Sequence, residues 1–205
     1  MKIGILGGTF DPVHTGHIEL AKAVMAARRA DKILFIPNAS PPHKLGRTIT
    51  SYEHRVRMLE LALGDCDKAE LCEIEAQETD PNYTVDTVRK LRTLYGNETE
   101  FLLIVGSDEI RGLADWKEPR KLLESVDVLV VSRTGWNLDE INCLADSLGR
   151  DAVEKLKSTT LSVDLPDVSS TDIRERAASG DDLARDVAPP VARYIATHKL
   201  YMAGA

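Results

Sequence analysis

The sequence is poor in residues that build covalent or metal frameworks. Its 205 residues include only three cysteines, Cys66, Cys72 and Cys143. Their odd number and wide spacing argue against a disulfide scaffold, and no Cys or His partner stands at a zinc-ligand spacing. Reduced, mostly buried thiols are expected. Long apolar runs are also missing: none approaches the ~20 residues that a membrane span needs. The opening MKIGILGG lacks the apolar region and cleavage site of a signal peptide. A cytoplasmic location and no membrane partner are therefore expected. Positive charge is not in excess, since 26 Lys and Arg face 33 Asp and Glu for a net charge of −7. A broad grip on nucleic acid is thereby disfavoured, although a local pocket can still hold a small anion. Neither GxxxxGK nor GxGxxG occurs, so the two commonest phosphate-binding glycine motifs are absent.

What is present is an ordinary apolar content of 43%, enough for a sizeable core. The length fits a single domain over 1–205, with a homo-oligomer left open. Ile3, Ile5 and Leu6 form a short strand ending at Gly7-Gly8. From His17, the residues Ile18, Ala21, Val24 and Met25 fall at helical spacing. Ile33 to Ile36 reads as a second strand. This β-loop-α-β unit predicts a parallel sheet with right-handed crossovers. Residues 38–49 carry Pro41, Pro42 and Gly46 without a period and read as a loop. Thr50 with Glu53 has capping-box spacing and opens a helix to about Ala62. Residues 69–76 alternate as a strand, Thr84–Tyr95 form a helix stopped by Gly96, and Phe101–Val105 and Val126–Val131 are strands. Residues 137–148 look helical and 160–165 resemble a late strand. Ser169 with Asp172 caps a helix to about Ser179, and Pro190 to about His198 is a last helix. The predicted class is α/β: a Rossmann-like parallel sheet flanked by helices, with a small helical C-terminal portion from about residue 168.

The densest chemistry lies between the first strand and the first helix, in Gly7-Gly8-Thr9-Phe10-Asp11-Pro12-Val13-His14-Thr15-Gly16-His17. In an open parallel sheet this is the ligand-binding end. Glycines let backbone approach a phosphate, and the helix start offers unpaired N–H groups and its positive dipole end. His14 and His17, with Gly16 keeping side-chain bulk away, can donate to phosphoryl oxygens, more strongly if protonated. A second anion site is suggested by Val168-Ser169-Ser170-Thr171-Asp172-Ile173-Arg174, where hydroxyls at a helix start precede an arginine. The same residues also suit an ordinary capped helix. Ser40-Pro41-Pro42-His43-Lys44 is a stiffened loop with two cationic candidates. Trp116 offers an aromatic plane for a flat heterocycle, and backbone donors near Thr84 could read a carboxylate.

These segments resemble the nucleotidyltransferase superfamily, whose signature is (T/H)xGH preceded by GGTFDP. The PPHK segment, Tyr83-Thr84-Val85-Asp86-Thr87 and Trp116 are similar to the nicotinate-nucleotide adenylyltransferases in particular. The resemblance runs nearly the whole chain, to Leu200-Tyr201. It implies transfer of AMP from ATP to nicotinic acid mononucleotide, with Mg²⁺ accompanying ATP. It implies that His14, His17, Lys44 and Arg174 act on the reacting phosphates. ATP would be bound by Gly7, Gly8, Thr9, Phe10, Gly16, Gly106, Asp108, Ser170 and Thr171. The mononucleotide would be bound by His43, Lys44, Thr84, Trp116 and Arg133. No protein metal ligand is implied. Lys117, where some relatives carry an aromatic residue, and Thr134, where Arg-Pro-Gly is common, depart from the pattern. Alternatives are a relative acting on nicotinamide mononucleotide or pantetheine phosphate, and a non-catalytic nucleotide-binding regulator.

Overall fold

Apolar residues on both faces of each inner strand dictate a sheet covered on both sides. The computed structural model describes residues 1–40, 49–64, 66, 68–76, 81–96 and 98–202. Its strands are β1 (Lys2–Gly8), β2 (Lys32–Pro37), β3 (Ala69–Leu71), β4 (Glu100–Gly106), β5 (Asp127–Arg133) and β6 (Leu161–Val163). They form one parallel sheet in the order β3-β2-β1-β4-β5-β6. The order reverses between β1 and β4, and such a switch point leaves a crevice at the carboxyl ends of the strands.

Alternation sorts the two cores. Ile3, Ile5, Leu34, Leu103 and Val130 face one side, under Val85, Val88 and Leu91 of α3 (Thr84–Tyr95). Leu6, Ile33, Phe35, Ile104 and Leu129 face the other. There they meet Val24 of α1 (Thr15–Ala26), Met58 and Leu59 of α2 (Tyr52–Leu63), and the C-terminal helices. Gly96, at φ +80°, takes a left-handed conformation that stops α3. The first-mentioned side is completed by α4 (Pro119–Ser125), α5 (Ala145–Leu148) and α6 (Arg150–Thr159). On the second side lie α7 (Ser170–Ala178) and α8 (Pro189–Thr197), the predicted helical portion. No helix among the described residues is long and apolar enough to cross a membrane.

Several local expectations are corrected. Residues 69–76 hold only three strand residues, and 137–148 are a 3-10 segment, Leu138–Leu144, followed by the single turn of α5. Helix α6, an amphipathic helix with Val153 and Leu156 buried, adds an element to those expected from sequence. Thr50 does not cap α2. Ser51 holds that position, while the Thr50 carbonyl accepts from Arg55. Cys66 and Cys143 are exposed and Cys72 is half-buried, so the thiols are not mostly buried.

Candidate active site

The end of β1 enters the crevice through its two glycines. A Cβ on Gly7 would meet no atom within 4 Å, whereas one on Gly8 would lie 3.0 Å from the Phe10 ring. Phe10, at φ +50°, turns that ring into the core, edge-on to His17 with centroids 5.0 Å apart. The Phe10 side chain thus supports the loop from beneath.

His14 stands just before α1. Its backbone N–H donates to Nδ1 of His17 at 3.2 Å. An imidazole that accepts at Nδ1 carries its proton on Nε2, so this bond fixes His17 as an Nε2–H donor. The two rings stack with centroids 3.7 Å apart. Gly16 permits this: its Cβ would lie 3.0 Å from His14 Nδ1 and 3.2 Å from Val168. Burial, opposed by Asp186 and assisted by Arg133, lowers the His14 pKa to about 4. Burial, then the neighbouring His14, holds His17 well below 6.5. Both rings are therefore neutral at pH 7, and each offers a single N–H rather than the two of a protonated ring.

Stability follows the same shift. The unfolded His14 binds a proton below pH 6.5 while the native one does not until about pH 4. The unfolded state thus binds more protons in this window, and the native state loses stability as pH falls through it. For His14 alone the loss between pH 7.5 and pH 5 is on the order of 2 kcal/mol. Urea unfolding at the two pH values should show it, and His14→Gln should reduce the difference. An equal difference in the variant would reject the burial account.

The second motif clasps the first. Ser169 caps α7, accepting from Asp172 N–H at 3.1 Å. Ser170 Oγ donates to the Pro12 carbonyl at 2.9 Å. Arg174 donates to the Asp11 carbonyl at 2.8 Å and to Thr171 Oγ1 at 3.2 Å. More than 150 residues apart in sequence, the two motifs share one surface.

A cleft of about 480 Å³ opens beside Gly7, Gly8 and Thr9, at the carboxyl ends of β1, β2 and β4. Asp108, Thr84 and Trp116 line it. A Cβ on Gly106 would lie 2.4 Å from Asp108 Oδ1, so a larger residue there would turn the exposed Asp108 carboxylate aside. Lys117 also lines the cleft. Its Nζ sits 4.4 Å from the Tyr83 ring centroid and 2.9 Å from Asp86. In place of an aromatic residue, this position supplies a cation held over an aromatic face.

Arg133 does not line the cleft. It pairs with Asp167 and lies near enough to His14 to influence its proton affinity. His43 and Lys44 lie outside the described residues. Among the described residues no three His, Cys, Asp or Glu side chains converge as a metal site.

Sequence reading assigned no role to Arg55, Asp11 or Tyr201. Arg55, only 2% exposed, donates to the carbonyls of Thr50, Thr9 and Asn38 at 3.0, 2.7 and 2.9 Å. The available signal was its phase: Arg55, Met58, Leu59 and Ala62 share the inward stripe of α2. A charge on that stripe must find partners. Asp11, 4% exposed, accepts from Tyr201 OH at 2.8 Å, a contact between residues 190 positions apart.

A parallel sheet whose switch point carries paired histidines at a helix start, with no Walker lysine, is the arrangement of the nucleotidyltransferases. The sequence model of the cytidylyltransferase-like family matches residues 5–176. Among similar proteins is one of Symbiobacterium thermophilum described as "Probable nicotinate-nucleotide adenylyltransferase". It is 37% identical, over 99% of this chain and 96% of that one. Another with the same description, from Desulfotalea psychrophila, is 35% identical over 98% of this chain and 99% of its own length. The fold is similar to Plasmodium falciparum nicotinic acid mononucleotide adenylyltransferase in complex with NaAD. That match has a TM-score of 0.77 and 20% identity, covering 98% and 97% of the two chains. The chain belongs to the nicotinate-nucleotide adenylyltransferase family and is an enzyme.

Proposed function

We propose that this enzyme transfers AMP from ATP to the 5′-phosphate of nicotinic acid mononucleotide, giving nicotinic acid adenine dinucleotide and pyrophosphate. The observation that carries the reading is the continuity of the Trp116–Thr84 cleft with the Gly7-Gly8-Thr9 loop. A stacking surface for the acceptor thus adjoins a phosphate-binding turn.

The acceptor phosphate, with a second pKa of about 6, is roughly 90% dianionic at pH 7. Its oxygen forms a bond to the α-phosphorus in line with the breaking α–β bridge, and the electron pair leaves with pyrophosphate. No covalent enzyme intermediate and no strong base are required. The protein positions the reactants and stabilises charge on the transferring group. His17 offers Nε2–H, and His14 stands beside it. Arg174 and Ser170 hold the loop that receives the triphosphate through the Asp11 and Pro12 carbonyls, and Thr171 accepts from Arg174. Lys44 and His43 are assigned to the phosphates from the acceptor side, and Arg133 to the phosphate region near His14. Trp116 is assigned to the pyridine ring, and Thr84, at the start of α3, to its carboxylate.

Mg²⁺ suits this site as an ion carried by phosphate oxygens and water, since such ions retain several waters and need few protein ligands. Of the carboxylates lining the cleft, Asp108, just after β4, would be the one to hold its water shell. When bound, the ion neutralises charge on the triphosphate.

Pyrophosphate release with ATP and Mg²⁺, comparing nicotinic acid and nicotinamide mononucleotides, tests the reading. A preference for the acid on the order of a hundredfold or more in kcat/KM is expected. Equal use of both would overturn the carboxylate assignment. ATP binding without release from either would overturn the reaction.

A further inference from the structure

Arg55 is a buried cation that touches no reacting group in the proposed chemistry. Its planar, rigid guanidinium donates to Thr9 in the phosphate loop and to Asn38 in the cleft wall. A third bond, to Thr50, fixes the approach to α2. From Asn38 the connection continues to the acceptor side. Ser40 N–H donates to Asn82 Oδ1 at 2.8 Å and Asn82 N–H donates to the Ser40 carbonyl at 3.0 Å. Asn82 precedes Tyr83 and Thr84, where α3 begins. Asp11, the buried counter-charge, accepts from Tyr201 OH at 2.8 Å and from Thr50 N–H at 3.4 Å. The Asp11 carbonyl is held by Arg174.

We propose that Arg55 is a positioning residue that makes binding of ATP and of the mononucleotide mutually dependent, by tying Thr9 and Asn38 to one guanidinium. A displacement of Thr9 by the triphosphate is resisted, or transmitted to Asn38, because both carbonyls share the same NH1 group. Linkage makes the effect reciprocal: each ligand tightens the other by the same factor. The role presupposes the two-substrate reaction proposed above.

Calorimetric titration of nicotinic acid mononucleotide, alone and with a saturating ATP analogue bearing a methylene bridge between the α and β phosphorus, measures that factor. In the wild type the analogue should tighten the mononucleotide by about fivefold or more. In Arg55→Lys, which keeps the charge but loses the planar fork, the factor should fall to within about twofold of unity. Tyr201→Phe deletes only the hydroxyl, which steadies Asp11 and also meets the Thr50 side chain. It should at least halve the factor, and it carries the test should Arg55→Lys fail to fold. A folded Arg55→Lys that weakens both ligands while the factor is unchanged would show a merely structural role and overturn the proposal. A Tyr201→Phe protein with the wild-type factor, or a wild type without coupling, would overturn it too. A wild type that binds the analogue but no mononucleotide would overturn the reaction assignment itself.

Discussion

His17→Ala is expected to lower kcat by roughly 10²–10³-fold while moving the mononucleotide KM by less than about threefold. The ring is fixed as an Nε2–H donor by its bond from the His14 backbone. A donor held in place before reaction stabilises developing charge without reorganising. Its loss should therefore appear in turnover rather than in acceptor binding. Alanine also removes the acceptor for His14 N–H, a helix-start bond of the kind worth ~1 kcal/mol. His17→Gln separates the two effects, because glutamine at this position of a helix can reach back to the same N–H. The glutamine variant should regain most of the lost Tm yet remain at least about tenfold slow. Steady-state kinetics beside thermal unfolding decides it. Wild-type turnover in the alanine variant would remove His17 from the mechanism.

Trp116→Ala should raise the mononucleotide KM by about 5- to 150-fold, the equivalent of ~1–3 kcal/mol for one stacked heterocycle. The ATP KM should stay within about threefold, and Trp116→Phe should recover most of the loss. Trp116 lies on the cleft wall and packs in part against the core beneath α3. Some destabilisation will accompany its removal, so KM values belong beside a Tm for each variant. Should the ATP KM rise instead, the cleft holds the adenine and the two substrate sites must be exchanged.

The strands were legible because the inner ones are apolar on both faces, and the order of strands and helices implied a parallel sheet. The phosphate loop and the capped α7 were legible as local patterns: two glycines before a helix, and a serine three residues before an aspartate. The weak elements were not. α4, with one buried leucine, has too little apolar stripe to announce itself; α6, by contrast, carries Val153 and Leu156 at helical spacing and was passed over. The 3-10 segment Leu138–Leu144 was read as a regular helix because its inward Ile141 and Leu144 are three apart, a spacing both helix types share.

The sequence by itself determined the class of sheet, the end at which its crevice opens and the family, since each rests on short local patterns and their order along the chain. Tertiary structure alone decided which groups carry charge and what holds the loops. The sequence leaves the protonation of His14 and His17 open, and burial keeps both neutral at pH 7. Arg174 looks like a free phosphate ligand, yet it donates to the backbone of Asp11. The phase of Arg55 on α2 marks it as inward, yet only the fold shows that it stands at the meeting point of three segments. Desolvation and long-range hydrogen bonding depend on what the fold brings alongside a residue, and no local pattern encodes that.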